Sequence, residues 1–174
     1  DWFDRKAAKA LAAQIGSAHA KFDRARFVRL ATKDLPRLEF ADRVRQFSGA
    51  LRATLPESVP DALSVLTDSL PELLPGSEDV SDGWLQWPVG QFIADHGLEH
   101  YPESMAAMIE LTQRFSAEFA VRPFVEAVPD RTFRQLLKLT KHRNVHVRRW
   151  CSEGTRPRLP WGRKLRDLVA DPGP

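Results

Sequence analysis

The chain has 174 residues, 43% of them hydrophobic, with 26 Lys and Arg against 23 Asp and Glu and a single cysteine, Cys151. That length suffices for one domain with a real core, and one cysteine excludes an internal disulfide framework and a Cys-based zinc site. No run approaches the ~20 apolar residues of a membrane helix, and the N-terminus "DWFDRKAAKALAAQIG" lacks the basic-then-apolar layout of a secretory signal, so no membrane partner and a reducing cytoplasm are expected.

Almost every segment reads as helix. "RKAAKALAAQI" is rich in strong helix formers. "FDRARFVRLATKDL" and "RLEFADRVRQFSGALRATL" carry apolar residues at three-and-four spacing. In the second, Phe40, Val44, Phe47 and Leu51 form one stripe, with Arg37, Arg45 and Arg52 off it. "PDALSVLTDSL" and "PESMAAMIELTQRF" open with Pro60 and Pro102, both suited to a first helical turn. "LPELLPGSEDVSDGW", residues 70 to 84, is the one long irregular segment and reads as a loop. "SAEFAVRPFVEAV" is apolar and expected to be helical, with Pro123 kinking or restarting it. "DRTFRQLLKLTKH" is expected to start at Asp130 as N-cap, and "NVHVRRWCSEG" at Asn144, with Gly154 at its end. No alternating strand pattern occurs. The expected fold is therefore all-α and a single domain over 1–174. Short helix pairs joined by tight turns predict an α-solenoid of HEAT-like repeats, with a plain helical bundle as the rival.

Charge is unevenly spread. Between 131 and 166 twelve Lys and Arg meet one acid, Glu153, so this stretch carries +11 and the remainder −8. Like charges repel, so such a stripe is the footprint expected for a polyanion partner. The bland reading is a solvated basic face. Within it, "HVRRWCSEGTRPRLPWGRK" crowds Arg148, Arg149, Arg156, Arg158, Arg163 and Lys164 around Trp150 and Trp161.

On a helix from Asn144 to Gly154, Val147, Trp150, Cys151 and Gly154 recur at three and four as a buried stripe. Arg149, Glu153 and Arg156 form an opposite, outward stripe at ~100° per residue. Glu153 there either makes an i,i+4 ion pair worth ~0.3–0.5 kcal/mol or orients Arg149 toward a phosphate. "RPRLPWG" is kept out of a helix by two prolines, so a stiff loop displays Arg156, Arg158 and Trp161. Trp161 either offers an aromatic face to a sugar, base or cation or packs under the next helix. Glu118 in "FSAEFAVRPF" is a carboxylate in apolar company. It either pairs with Arg122 at i+4 or sits near a reacting centre. His96 and His100 have a metal-compatible spacing without an evident third ligand. His142 and His146 lie among arginines that would repel a metal.

Three blocks, "WPVGQFIADHGL", "RFSAEFAVRPF" and "HVRRWCSEGTRPRLPWG", resemble signature blocks of the AlkC branch of bacterial DNA alkylation repair proteins, HEAT-like-repeat DNA glycosylases related to the AlkD branch. The likeness covers roughly residues 20 to 172, and its last block is the most specific. It implies a curved solenoid with a basic concave face that cradles duplex DNA. It implies a monomeric, monofunctional glycosylase of the bacterial nucleoid that excises cationic N-alkylated bases, such as 3-methyladenine and 3-methylcytosine, with no metal or organic cofactor. Carried over by motif, the active-site carboxylate of the "SAEFA" block falls on Glu118. The arginine and glutamate of "VRRWCSEG" fall on Arg149 and Glu153, and the tryptophan of "RPRLPWG" on Trp161. Glu118, Glu153 and Trp161 are then the expected catalytic set. The chain stops at "VADPGP", where a further repeat would start, so an incomplete DNA cradle is expected.

Chemistry fits that expectation. A base alkylated at a ring nitrogen is already positive, so its glycosidic bond breaks without acid catalysis. What remains is to stabilise an oxocarbenium-like sugar and position water, for which one fixed carboxylate is worth ~10²–10⁴ in rate. The resemblance further implies that the lesion is not fully flipped into a closed pocket. A different class of function stays open: a catalytically silent HEAT-repeat module binding nucleic acid or an acidic protein through the same stripe.

Overall fold

The computed structural model describes residues 2–74 and 80–171. Among them every regular element is helical. Asp4 caps the first helix, α1 (Arg5–Ala18), its side chain accepting from the Ala7 N–H at 2.9 Å. Asp23 does the same for α2 (Arg24–Ala31). That helix ends four residues earlier than its apolar pattern suggests, because Asp34 turns into a left-handed conformation ahead of a 3-10 turn at Leu35–Arg37. The next helix, α3 (Phe40–Thr54), buries Val44, Phe47 and Leu51 of the expected stripe, while Phe40 at its start stays only half-buried. Ser58 caps α4 (Val59–Asp68), with Pro60 in the first turn as expected.

Residues 71–74 are irregular, in keeping with the expected loop. Part of that stretch, 75–79, lies outside the described residues, and Val80–Gln86 forms 3-10 turns that run into α5 (Trp87–His96). Pro102 sits in the first turn of α6 (Tyr101–Thr112). Two expectations then need correction, both on where a helix begins. Residues 116–121 are not helical, and of the two roles expected of Pro123 the restart holds: it lies in the first turn of α7 (Arg122–Ala127). Proline has no N–H to donate to the carbonyl of the preceding turn, so the helix begins where Pro123 falls in its first turn. Similarly α8 (Pro129–Leu139) begins at Pro129 and is capped by Val128 without a side-chain bond, so Asp130 lies inside the first turn. There its charge still complements the helix dipole. Asn144 does cap α9 (Val145–Glu153), accepting from the N–H groups of His146 and Val147. A short α10 (Arg166–Ala170) follows.

Neighbour contacts arrange these helices in two rows. One row runs α2, α3, α5, α7, and the other α1, α4, α6, α9; α8 packs between α7 and α9. This two-layer stack of short antiparallel pairs is the HEAT-like arrangement the helix pattern predicts. One continuous core runs from Phe3, Leu11 and Phe47 through Phe92 and Met108 to Phe124, Val147 and Trp150. Gly154 ends α9 with ordinary right-handed geometry, so its missing side chain serves packing: a Cβ there would come within 2.6 Å of Val121 Cγ1. No helix among the described residues is long and apolar enough to cross a membrane.

Candidate nucleic-acid interface

The stripe arithmetic on α9 holds on its inner side. Val147, Trp150, Cys151 and Gly154 are buried, and burial pushes the Cys151 thiol up to about 11. On the outer side the partners differ from those the spacing suggests. Arg149 does not pair with Glu153. Its Nη1 lies 3.5 Å from Glu118 Oε2, across 31 residues of sequence, and its Nη2 donates to Ser116 Oγ at 3.3 Å. Glu153 instead pairs with Arg156, one turn on, at 2.9 Å. The physical reason is burial: Glu118 is 17% exposed, and a carboxylate so withdrawn from water attracts a neighbouring cation more strongly than the more open Glu153 does.

Glu118 is held from two further directions. Ser116 donates to Glu118 Oε2 at 2.9 Å, and the Ser116 oxygen accepts from the Glu118 N–H at 3.3 Å. The turn that replaces the expected helix at 116–121 is what brings Ser116 back onto its own carboxylate. The i+4 pair between Glu118 and Arg122 does not form. Arg122 points inward and is fully buried. Its guanidinium donates to the carbonyls of Gly154 (3.1 Å), Arg156 (2.9 Å), Pro157 (3.4 Å) and Arg163. Burial lowers its pKa from the ordinary arginine value, and the acids Glu126 and Glu118 oppose that shift.

Arg122 therefore pins the "RPRLPWG" segment. Residues 154–165 contain no helix, as the two prolines predict. Leu159 and Leu165 are buried anchors, and the Leu165 N–H closes the loop onto the Pro157 carbonyl at 3.1 Å. Trp161 sits at the tip with φ 62°, a left-handed backbone that a bulky residue rarely adopts. Its side chain is 80% exposed, so it is not packed under the following helix. The ring lies 6.3 Å from that of Trp87 at 21° and 5.4 Å from Phe40. Phe119 stacks on the other side of Trp87, at 4.7 Å and 15°. These four aromatics form walls of a cleft of about 740 Å³ between α3, α5, the start of α7 and the loop. Phe119 follows Glu118 directly, so the withdrawn carboxylate and the aromatic cleft share one turn.

The arginines around it are exposed but differently employed. Arg148 fastens the turn before α9, donating to the carbonyls of His142 and Arg143 at 2.8 and 3.0 Å. Arg163 pairs with Glu126 at 2.9 Å. Arg158 and Lys164 make no ion pair among the described residues. Farther along the basic stretch Arg131 covers the face of Tyr101 at 3.8 Å. No three His, Cys, Asp or Glu converge as a metal set among the described residues. Residue spacing placed Phe40 on an apolar stripe and offered Arg122 only as a surface partner for Glu118, and it did not single out Trp87 or Phe119. Trp87, Phe119 and Arg122 lie inside the motifs "WPVGQFIADHGL" and "RFSAEFAVRPF", which was the available signal.

A two-row helical stack with an exposed arginine belt beside an aromatic cleft defines a helical-repeat protein whose site joins positive charge to exposed π-faces. No family model matches the chain. Over 161 residues, 92% of this chain, it is 37% identical to YhaZ of Bacillus subtilis (strain 168), an uncharacterized protein, and spans 43% of it. A solved structure of the Pseudomonas fluorescens alkylpurine DNA glycosylase AlkC, bound to DNA containing an abasic site analog, superposes with a TM-score of 0.87 at 31% identity, covering 98% of this chain and 46% of that one. The chain thus spans less than half the length of these relatives. The likeness to AlkC is the one that the three sequence blocks led one to expect.

Proposed function

We propose that the chain carries the base-excising site of a DNA glycosylase that hydrolyses the N-glycosidic bond of cationic N-alkylated bases, 3-methyladenine and 3-methylcytosine among them, in duplex DNA. The observation that carries this reading is Trp161: an indole exposed to solvent, yet locked by a left-handed backbone on a loop that a buried arginine holds in place. A protein that merely needed a basic face would gain nothing from that device. In this reading the indole stacks at the damaged nucleotide. Glu118, aimed by Ser116 and Arg149, stabilises the oxocarbenium-like sugar and orients the attacking water. Arg148, Arg149, Arg156, Arg158, Arg163 and Lys164 follow the phosphates. Glu153 holds Arg156 in place for that task. The likeness to AlkC supports the assignment, and no metal or organic cofactor is part of it. The chain is proposed to act as a monomer on the bacterial nucleoid.

The test is direct. Incubation with alkylated duplex DNA should release free methylated bases and leave intact abasic strands, since no lyase step is proposed. Binding to undamaged duplex should weaken as salt rises, with a slope near 0.9 per phosphate contact. Salt-sensitive binding without any released base would leave the silent HEAT-repeat module as the function.

A further inference from the structure

A second groove, of about 620 Å³, shares no residue with the cleft at Trp161. It is lined by α1 and α2 alone; no residue of α3 or α4, on which these two helices pack, contributes to it. Its rim is cationic. Arg5 and Lys9 rise from α1, Arg24 and Arg29 from α2, and all four are exposed. Neither helix contains an Asp or Glu. Arg5, Lys9 and Arg29 make no ion pair among the described residues. Local electrostatics oppose this placement. Arg5 and Arg24 sit in first turns, at the positive ends of their helices, and Arg5 lies at i,i+4 to another cation, Lys9. Arg24 is nevertheless held firmly. Its Nη2 donates to the Gly16 carbonyl at 2.6 Å, and a Cβ at residue 16 would collide with its Nε. The floor, by contrast, is apolar: Ala12, Ala25 and Val28. Thr32, at one end, spends its hydroxyl on the Val28 carbonyl at 2.7 Å.

A ligand for this groove needs an apolar face between negative flanks. A nucleic-acid backbone lacks the first: its phosphates seek hydrogen-bond donors, and the floor supplies none. An extended peptide also fails, because its backbone N–H and C=O groups would lie unpaired against alanine and valine. A helix satisfies its own backbone and presents side chains only. We propose that the groove docks an acidic amphipathic helix of a partner protein. Its apolar stripe lies on Ala12, Ala25 and Val28, and its carboxylates reach Arg5 and Lys9 on one side and Arg24 and Arg29 on the other. Residues 39–130, with sixteen Asp and Glu against five Lys and Arg, separate this cationic patch in sequence from the belt at 131–166. The two patches thus serve different partners, and this surface does not depend on whether the chain excises bases.

The probe is a fluorescein-labelled peptide of about 15 residues, long enough to form a helix on binding. It carries Leu at three-and-four spacing and Glu on both flanks. One control peptide has the same composition in an order that breaks the stripe. Anisotropy titration of the complete chain should give a Kd on the order of 10 µM for the probe and about tenfold weaker binding for the control. An acidic peptide could also settle on the 131–166 belt, so variants decide the place. Arg5→Gln combined with Lys9→Gln should weaken the probe about tenfold, and Ala25→Glu, which sets a carboxylate in the floor, at least as much. Arg158→Gln combined with Lys164→Gln should leave probe binding unchanged. All five positions are exposed, so thermal melts should stay at the parent value, and the α1 pair, relieved of like charges, should melt no lower. Equal affinity for probe and control overturns the inference, because it leaves only polyanion attraction. Probe binding lost in the belt variant and kept in the α1 variant overturns it as well. Undamaged duplex measured on the α1 variant should bind as to the parent; a parallel loss would make nucleic acid the occupant. Self-association of the parent chain that Ala25→Glu abolishes would make a second copy the occupant, and would equally overturn the inference.

Discussion

The two glutamate–arginine pairs beside Trp161 make an instructive contrast. Glu153 and Arg156 are closer, at 2.9 Å, but both are partly open to water and lie three residues apart. Glu118 and Arg149 are farther apart, at 3.5 Å, yet Glu118 is largely withdrawn and the pair joins the turn before α7 to the middle of α9. Distance alone ranks them one way, and environment ranks them the other. A local pair in water contributes a few tenths of a kcal/mol whatever its length. A pair across 31 residues, in a partly dry site, fixes the relation between two elements and raises the interaction per charge.

Substitutions can break or sharpen this contrast. Glu118→Gln is expected to have the largest effect, lowering base release ~10²–10⁴-fold while duplex affinity changes by no more than about twofold. Single-turnover base release set against equilibrium binding checks it, and parental release would make Glu118 structural. Arg122→Ala comes next, and acts on folding. It leaves several buried carbonyls without a donor and should cost about 3–4 kcal/mol in chemical denaturation. Arg122→Lys should rescue little of this, since an ammonium cannot reach carbonyls spread over Gly154 to Arg163 as a planar fork does. Trp161→Ala should reduce excision about tenfold, with a stability change below ~1 kcal/mol, because it removes only ring contacts at the surface. A sharp fall in melting temperature there would mean that the indole is a core element after all. Glu153→Gln is expected to be the mildest. Stability should move by less than ~0.5 kcal/mol, and damaged and undamaged duplexes should lose affinity equally, since a phosphate contact is blind to the base.

The contrast also shows where sequence reading succeeds and stops. The cap at Asn144, the buried face of α9 and the non-helical proline loop are local, and their residues declare them. Pro60 and Pro102 mark first turns for the same reason. The apolar run Phe119–Ala120–Val121 looked helical, yet Ser116 and Glu118 bond to each other in a turn and Pro123 claims the helix start. Spacing offered Arg122 as a surface partner for Glu118 and Arg149 as one for Glu153. Both arginines took partners 30 or more residues away, which no periodicity within one helix can reveal. The aromatic cleft was missed for a related reason. Phe40, Trp87, Phe119 and Trp161 come from four separate segments and meet only through the stacking of α3 on α5.

Arg122 has a bearing on binding as well as on folding. A loop of this length, free to move, would surrender conformational entropy each time it gripped a ligand, and that loss would subtract from affinity. With its carbonyls gathered onto one buried guanidinium, the segment from Gly154 to Arg163 is ordered once, when the chain folds. Under the proposed function, Trp161 and its neighbouring arginines would then meet the double helix as a rigid template. The discrimination they provide depends on fit, and very little on rearrangement.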